Sequence, residues 1–328
     1  MSKIVLKAGT AAAVAVISLS AQAQWAGLGN YALVGNYALP ALSPSPPTAS
    51  SSKEFEASAV TWNQATNTLF MLGDGGGFIM ETTLNGTPLG SMKLPAGGSP
   101  QNNEFYDPEG LTAIGGGQFV MTEERYRTAV KFSYVTGSTL LRSQTATVKL
   151  ATTVGNTGLE GITYDAVTGG FIFVNETAGT GASQNIFQTQ INFAAGTASN
   201  GNAATVNNAS LFPASNVGFS SLNDVYALAN VYGAGTQNLL VLSHGAVREM
   251  TRSGAVAGSL NLLGSGYEVE GITMDASGKL YLVSDNGNTG THSSLLVYAP
   301  IPEPGSYALL LAGLLGVGGL VRRRADAV

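Results

Sequence analysis

Apolar and polar residues repeat one arrangement five times along the chain. Each copy has two apolar runs of strand length separated by a turn rich in Gly, Asn or Asp, with a polar residue at the start of the first run and another at the end of the second. The copies are EASAVTWNQATNTLFMLGD (56–74), DPEGLTAIGGGQFVMTEE (107–124), GLEGITYDAVTGGFIFVNE (158–176), SLNDVYALANVYGAGTQNLLVLSH (221–244) and YEVEGITMDASGKLYLVSD (267–285). A third apolar run follows each copy, and a fourth follows most of them. The pattern predicts antiparallel sheets of about four strands each.

The spacing of the copies indicates how these sheets are arranged. The first polar residues of the copies are Ser58, Glu109, Glu160, Asn223 and Glu270, separated by 51, 51, 63 and 47 residues. A repeat of about 50 residues has the length of one blade of a β-propeller. We therefore predict an all-β fold, a β-propeller of about five four-stranded blades. The 43 glycines and the low share of charged residues, 11%, also favour a turn-rich β protein.

Two segments do not fit the repeat. The last copy reaches Pro300 before a fourth strand occurs, whereas YALVGNYALP (31–40) has no blade of its own. We predict that this N-terminal strand supplies the missing outer strand of the last blade and closes the ring, which removes exposed sheet edges. The segment 194–220 has room for a sixth blade but lacks the motif, so we interpret it as the outer part of blade three plus a surface loop.

The N-terminus has the layout of a secretory signal peptide. Lys3 and Lys7 precede an apolar stretch from Ala8 to Leu19, and small residues follow up to Ala23. We predict that residues 1–23 are removed on export and that the propeller occupies residues 24–301; a buried N-terminal helix is the alternative. Because the chain has no cysteine, the exported fold is held without disulfides.

The C-terminal residues 302–328 form a second terminal tag. Pro302, Glu303 and Pro304 interrupt any strand or helix and precede an apolar segment, 307–321, which we predict to be helical. A basic cluster follows, made of Arg322, Arg323 and Arg324. Fifteen apolar residues are fewer than the about 20 that a membrane span needs, and the basic cluster would stay on the cytoplasmic side.

This tail resembles the PEP-CTERM sorting signal of Gram-negative bacteria. The resemblance implies that the tail holds the exported protein transiently in the inner membrane until an exosortase processes it. It therefore implies exosortase and the secretion machinery as partners, and the cell surface or extracellular matrix as the destination. A permanent membrane anchor is the alternative.

Charge limits the class of partner. Residues 24–301 carry 18 acidic and 10 basic residues, a net charge of −8. Since phosphate backbones require a basic surface, this balance argues against nucleic acid. Divalent cations are a more natural counter-charge.

The repeated acids predict a polar centre. The first strand of each propeller blade lines the central channel, so Ser58, Glu109, Glu160, Asn223 and Glu270 should form a ring. Three carboxylates in a narrow channel cannot all remain ionised unless a cation lies among them. Carboxylate, amide and hydroxyl oxygens are hard ligands that suit Ca²⁺, with Mg²⁺ as the alternative.

A second polar set lies where the second strand of each copy ends. Its members are Asp74, Glu123, Glu124, Asn175, Glu176, Ser243, His244, Asp285 and Asn286. Because adjacent antiparallel strands run in opposite directions, the two sets should converge at one mouth of the channel. Glu123, Glu124 and His244 are the candidate bases if the site is catalytic. Two structural alternatives remain: a glutamate can pair with a local arginine, and the Glu-Gly pair can join neighbouring blades.

The motifs EGIT, LGDGG, DPEGL, TEER, LNDVYAL, LVLSH and LYLVSDNGN together resemble the SdiA-regulated family over about residues 54–299. The resemblance implies a bacterial β-propeller that often carries calcium in this region, with more distant similarity to NHL-repeat, gluconolactonase-like and phytase-like propellers. It does not imply a defined enzymatic activity. On this basis the metal candidates are Glu109, Glu160 and Glu270, followed by Asn223 and Asp224.

Three functions follow from these features. The first is a cation-binding interaction module of the cell envelope or matrix, with an extracellular polysaccharide or a small anionic ligand as candidate partner. The second is a metal-dependent hydrolase of the lactonase, phosphodiesterase or phytase type that uses the same site. The third is a structural surface protein without a metal.

Overall fold

The computed structural model describes residues 25–40, 56–73, 77–95, 105–177, 182–262, 268–286 and 293–301. In chain order the strands are β1 (Tyr31–Ala38), then β2 (Ala57–Asn63), β3 (Thr68–Gly73), β4 (Phe78–Thr82) and β5 (Pro88–Lys93) in blade one, and β6 (Leu111–Gly115), β7 (Gln118–Glu123), β8 (Thr128–Ser133) and β9 (Ala146–Lys149) in blade two. Blade three has β10 (Leu159–Asp165), β11 (Gly170–Asn175) and β12 (Asn185–Thr189), followed by the short strands β13 (Ile191–Asn192) and β14 (Thr197–Ala198). Blade four has β15 (Asp224–Ala227), β16 (Leu239–Ser243), β17 (Ala246–Met250) and β18 (Val256–Asn261); blade five has β19 (Val269–Met274), β20 (Leu280–Asn286) and β21 (Ser293–Pro300).

These strands form a five-bladed β-propeller, as predicted, and the N-terminal strand closes it. The last sheet has the order β1-β21-β20-β19, so β1 is the outer strand of blade five. Antiparallel pairing runs from Tyr31 opposite Pro300 to Ala38 opposite Ser294. The chain therefore joins its N-terminal strand to its last blade, which is the closure that the repeat pattern predicts.

The segment 194–220 does not form a sixth blade. β13 pairs with β14 as a short hairpin, and Ser210 forms an isolated bridge with Phe187 of β12. A single 3-10 turn, Ala214–Asn216, follows. The segment is thus the outer part of blade three, as interpreted from the sequence. The α-helix α1 (Ala229–Tyr232), which lies between β15 and β16, was not predicted.

The core lies between adjacent blades. In β3, Phe70 and Leu72 pack against blade two, whereas Leu69 and Met71 pack in a cluster that includes Tyr281 of blade five. Successive side chains of a strand point to opposite faces of its sheet. Because both faces are covered by neighbouring blades, the inner strands are almost continuously apolar, with only occasional polar positions.

Those polar positions join the blades to one another. Three residues after the first polar residue of each copy, four blades carry a threonine whose hydroxyl accepts a backbone N–H from the next blade. The bonds are Trp62 N to Thr273 Oγ1 (3.1 Å), Ala113 N to Thr61 Oγ1 (3.1 Å), Tyr164 N to Thr112 Oγ1 (3.0 Å) and Ala227 N to Thr163 Oγ1 (3.3 Å). In blade four Tyr226 takes this position, and its hydroxyl donates to Met274 O at 3.3 Å. A hydrogen bond therefore crosses each of the five blade junctions.

The glycine of the Glu-Gly pair permits the inner strands to approach closely. A Cβ added at Gly110 would lie 2.5 Å from Glu160 O, and one at Gly271 would lie 2.8 Å from Val60 N. These distances are shorter than any ordinary van der Waals contact, so a side chain would force the strands apart. The glycines thus support the alternative that the Glu-Gly pair joins blades, although this applies to the glycine and not to the glutamate side chain.

In the described ranges, no helix has both the length and the apolar character needed to cross a membrane. The signal peptide is predicted in residues 1–23 and the sorting tail in residues 302–328. Both segments lie outside the described residues.

Candidate functional site

One mouth of the channel opens into a cavity of about 170 Å³ lined mainly by acids. The lining residues are Ser58, Glu109, Glu124, Asn156, Glu160, Glu176, Asn223, His244, Glu270 and Asp285. All five positions at the starts of the inner strands are present, together with four positions from the ends of the second strands. Antiparallel pairing within each blade brings these two sets to the same end of the propeller. We call this cavity the acidic mouth.

Two overlapping groups of carboxylates in the acidic mouth have the spacing of metal ligands. Glu124, Glu160 and Glu176 each offer an oxygen within 4.8 Å of the others, and so do Asp107, Glu109 and Glu124. An ion with Ca²⁺–O distances of about 2.3–2.6 Å contacts oxygens that are up to about 5 Å apart. Each group could therefore hold a metal ion, and Glu124 belongs to both.

Burial makes ionisation of these acids unfavourable. Burial is the main cause that raises the pKa of Glu160 well above its usual value, and the neighbouring carboxylates add to it, Glu109 and Glu124 most. Burial also raises the pKa of Glu124 to about 8, with a further contribution from a hydrogen bond with Asp107. The backbone N–H of Gly158, which donates to Glu124 Oε1 at 2.8 Å, acts in the opposite direction. Without a cation Glu124 therefore binds a proton near neutral pH, and the shift of Glu160 has the same direction.

Histidine, amide and carboxylate groups meet on the other side of the acidic mouth. Asn223 Nδ2 donates to Glu270 Oε2 at 2.7 Å, and His244 Nδ1 lies 3.3 Å from Glu270 Oε1. The hydrogen bond with Glu270 is the main cause that raises the pKa of His244. The His244 side chain is 44% exposed. The imidazole can therefore exchange protons with solvent while it contacts the acidic cluster.

Glu176 links the two sides. Ser221 Oγ donates to Glu176 Oε1 at 3.3 Å and lies 3.4 Å from Asn223 Oδ1. Burial raises the pKa of Glu176, and the Ser221 hydrogen bond partly offsets this. The acidic mouth is thus a connected polar network rather than a set of isolated charges.

Comparison with known proteins places this architecture in a family. The sequence profile described as SdiA-regulated matches residues 48–288, which is most of the chain. The chain belongs to the SdiA-regulated family. Among solved structures it is similar to a luciferin-regenerating enzyme (9% identity, TM-score 0.47, 75% of this chain and 91% of that chain). It is also similar to a gluconolactonase from Xanthomonas campestris (11%, 0.45, 84% and 92%) and to a chain of a nidogen/laminin complex (12%, 0.41, 70% and 73%).

Not every predicted ligand of this SdiA-regulated protein lies in the acidic mouth. Asp224 takes the place of the glycine in blade four and is buried. Its Oδ1 accepts the backbone N–H of Val225 and its Oδ2 that of Ile272, both at 2.8 Å. Since Ile272 belongs to blade five, the structure uses Asp224 to join two blades and does not present it to the cavity.

Three further predicted residues also lie elsewhere. Glu123 is buried, forms an ion pair with Arg142 and accepts the Tyr106 backbone N–H at 3.0 Å. Asn175 is buried and donates through Nδ2 to Ser183 O at 3.2 Å. Neither lines the acidic mouth, so Glu123 is not positioned as its base. Ser243 ends strand β16 next to His244 and does not line the mouth either.

Several of the predicted site and sorting-signal residues lie outside the part of the chain that the structure describes. Asp74 and the sorting-signal residues Pro302, Glu303, Pro304, Arg322, Arg323 and Arg324 lie outside the described residues, as does the side chain of Asn286.

The SdiA-regulated protein also brings residues to the site that the repeat pattern missed. Asp107 adopts a backbone φ of 54°, a left-handed conformation that Asp tolerates better than most residues. It forms an ion pair with Arg125, whose Nε lies 3.6 Å from Glu124 Oε2. The signal was present in the DPEG motif, because Asp107 lies two residues before Glu109. The equivalent positions of blades one and five also carry acids, Glu56 and Glu268, whereas blades three and four carry Gly158 and Ser221.

Proposed function

We propose that this chain is an exported binding protein whose acidic mouth holds a divalent cation, Ca²⁺, and that the bound ion contributes both to stability and to recognition of an anionic ligand. The observation that carries the proposal is the convergence of Glu124, Glu160 and Glu176, whose oxygens lie within 4.8 Å of one another although they come from two different blades. Several buried acids at one point are unfavourable unless protons or a cation balance them.

The donor chemistry favours Ca²⁺ over other metals. The lining offers carboxylate, amide and hydroxyl oxygens, and His244 is its one histidine among the described residues. Zn²⁺ and Cu²⁺ favour nitrogen and sulfur ligands, and Mg²⁺ requires a near-ideal octahedron. Ca²⁺ accepts six to eight oxygens in an irregular arrangement, which suits ligands that come from several strands.

A cation at this position would join blades that otherwise repel each other. Glu109 and Glu124 come from blade two, Glu160 and Glu176 from blade three, and Glu270 from blade five. Coordination positions left open toward the solvent would accept a carboxylate or a phosphate. Together with the predicted export, this arrangement supports our proposal of an interaction module of the cell envelope or extracellular matrix.

The alternative is a metal-dependent hydrolase that uses the same ion. One observation favours it: His244 is half exposed and contacts Glu270 at the rim of the acidic mouth. A metal ion would polarise an ester or lactone carbonyl or a phosphate, while His244 or Glu124 moved a proton. Lactonase and phosphodiesterase assays of the full chain, with and without EDTA, separate this function from simple binding.

The metal proposal is tested by metal content and thermal stability. The triple variant Glu124→Gln/Glu160→Gln/Glu176→Gln keeps the shapes but removes the charges, and Glu81→Gln removes a carboxylate that accepts a hydrogen bond from Thr68 outside the cavity. We expect about one Ca²⁺ per wild-type chain and per Glu81→Gln chain, a lower melting temperature after EDTA, and no bound metal in the triple variant. A metal-free wild type whose melting temperature is unaffected by Ca²⁺ would refute the proposal.

Export and sorting are a separate part of the proposal. Their support is the order of features in residues 1–23 and 302–328. Mass spectrometry of the protein from its native host should give a mature N-terminus after Ala23 and a C-terminus that lacks the arginine cluster. An intact N-terminus on the mature protein would contradict export by a cleaved signal.

A further inference from the structure

The opposite mouth of the channel is a larger cavity that the acidic site does not use. It has a volume of about 460 Å³ and is lined by the far ends of the inner strands of all five blades. Ser58 and Asn63 mark the two ends of the inner strand in blade one. Asn63 lies five residue steps along the extended strand from Ser58, a distance of about 16 Å. Between the two cavities the inner strands pack at the level of the glycines, where Gly271 meets Val60. The second cavity is therefore a separate site.

The described lining of the second cavity carries no side chain that is charged at neutral pH. Among the described residues its lining includes no Asp, Glu, Lys, Arg or His, although the protein as a whole is acidic. We call it the neutral mouth. A charged ligand would lose hydration there without gaining an opposite charge, which is unfavourable. The neutral mouth therefore selects for an uncharged ligand.

Three aromatic rings and several amides give this lining its chemical character, and the third ring, Tyr226, is buried. Trp62 and Tyr164 are partly buried, and each combines an apolar ring with a polar group. Gln64 is exposed at the edge, and Asn63 and Asn230 contribute amides. Apolar ring faces pack against the C–H faces of a sugar, while amides and hydroxyls match its hydroxyl groups.

The aromatic groups are held in place before any ligand arrives. Trp62 Nε1 donates to Asn67 Oδ1 at 3.2 Å, which fixes the orientation of the indole. Asn230 Nδ2 donates to Tyr164 O at 2.8 Å, and Asn230 Oδ1 accepts the Ala166 N–H at 3.1 Å, which fixes the strand end that carries Tyr164. A preorganised site loses less conformational entropy on binding than a flexible one.

From these features we propose that the neutral mouth binds an uncharged saccharide of one or two sugar rings. The cavity volume lies within the about 300–1,000 Å³ range of small-molecule sites. The site is independent of the cation at the acidic mouth, so this inference goes beyond the proposed function and does not rest on it.

The distribution of tryptophan gives a direct assay. The chain has two tryptophans, Trp25 and Trp62. Trp25 packs against Tyr31 and Tyr232, with ring centroids 5.5 and 5.6 Å apart. In a full chain that carries Trp25→Phe, Trp62 is the single tryptophan, and its emission reports on the neutral mouth.

We expect maltose, cellobiose or diacetylchitobiose to change the Trp62 emission in a saturable way, with an equal effect in EDTA and in Ca²⁺. Ala166 is exposed and lines the neutral mouth, so Ala166→Phe should weaken binding at least about tenfold without affecting the fold. Ala203→Phe, at an exposed position in blade three outside this lining, is the matched control and should bind as before.

Three results would overturn the proposal. The first is that none of these sugars at about 50 mM causes a saturable change in emission, and that calorimetry on the wild type also detects no binding. This concentration is well above the dissociation constant of a weak site, about 1 mM. The second is unchanged binding by Ala166→Phe. The third is tighter binding of glucuronate or glucose 6-phosphate than of the neutral sugars. Binding that disappears in EDTA would also overturn the proposal, because it would assign the ligand to the acidic mouth.

Discussion

Raising the pH should destabilise the metal-free protein, and Ca²⁺ should reverse the effect. The pKa of Glu124 rises from 4.5 to about 8 in the folded protein, mainly through burial. Between these two values the folded state binds more protons than the unfolded state, so the free energy of unfolding falls as the pH rises. Burial raises the pKa values of Glu160 and Glu176 as well, so their effects have the same sign.

The magnitude follows from the size of the pKa change. A difference of one pKa unit corresponds to about 1.4 kcal/mol, so full independent titration of Glu124 would lower the free energy of unfolding by about 5 kcal/mol. Because Glu124 and Glu160 lie close together and do not titrate independently, part of this change is shared between them, and about 2–3 kcal/mol is the expected share for Glu124. For a domain of this size that loss corresponds to a decrease of roughly 5–10 °C in melting temperature.

The assay is thermal unfolding of the full chain in EDTA at about pH 5, 6.5 and 8, with a parallel series in Ca²⁺. In EDTA the melting temperature should fall across this range, whereas in Ca²⁺ the loss should be absent because the ion binds the ionised carboxylates. Glu124→Gln cannot ionise, so its melting temperature should fall less. An identical slope in Glu124→Gln, or no recovery with Ca²⁺ at the highest pH, would refute the reasoning.

Two further predictions concern the contacts between blades. Thr112→Val removes the hydroxyl that accepts the Tyr164 N–H, so it should lower the free energy of unfolding, measured in urea, by about 1–3 kcal/mol. Thr147→Val, at an exposed position, is the control and should change this free energy by less than about 0.5 kcal/mol. Gly161→Ala would place a Cβ 2.4 Å from the backbone of the adjacent blade and should lower the free energy of unfolding by about 1–3 kcal/mol or more. Gly155→Ala is its control, because a Cβ at Gly155 would have no atom within 4 Å. Equal effects in a variant and its control would contradict either prediction.

The fold was predictable because the repeat shows both the structural unit, one propeller blade, and the number of blades, five. The closing strand was predictable as well, because the last copy ends at Pro300 without an outer strand while β1 has no blade. The helix α1 was not predictable, because it lies in a longer turn that the other four copies lack. Local insertions of this kind have no counterpart in the repeat from which to predict them.

The sequence alone does not show which of two adjacent acids at a strand end reaches the cavity. Glu123 and Glu124 are adjacent, yet Glu123 pairs with Arg142 and Glu124 enters the acidic mouth. Side chains of successive residues in a strand point in opposite directions, so a difference of one residue decides which acid reaches the site. The sequence gives two acids at the end of the strand but not the register that separates them.

Recurrence alone also does not distinguish a structural residue from a functional one. The glycine occurs in three copies and the threonine in four, so both recur at least as often as the acid, yet they contact the neighbouring blade. Asp224 shows the reverse case, because an acid at a glycine position serves blade contact. The distinguishing feature is whether the side chain reaches a cavity, and that depends on the closed ring.

The energetic contrast between these groups argues for a ligand at the acidic mouth. Glycines and threonines at the blade junctions stabilise the ring, whereas the pKa values of Glu124, Glu160 and Glu176 are all raised, which means that their ionised forms destabilise it. A polar ring without a ligand could be built from Ser and Asn, which Ser58 and Asn223 already provide in two blades. Ionised carboxylates in the other three inner strands, with further acids at the strand ends opposite them, become favourable when a cation occupies the centre; without a cation these acids are stabilised by retaining protons. The cation that we propose would thus explain in physical terms why the same repeat that closes the propeller also concentrates acids at one end of it.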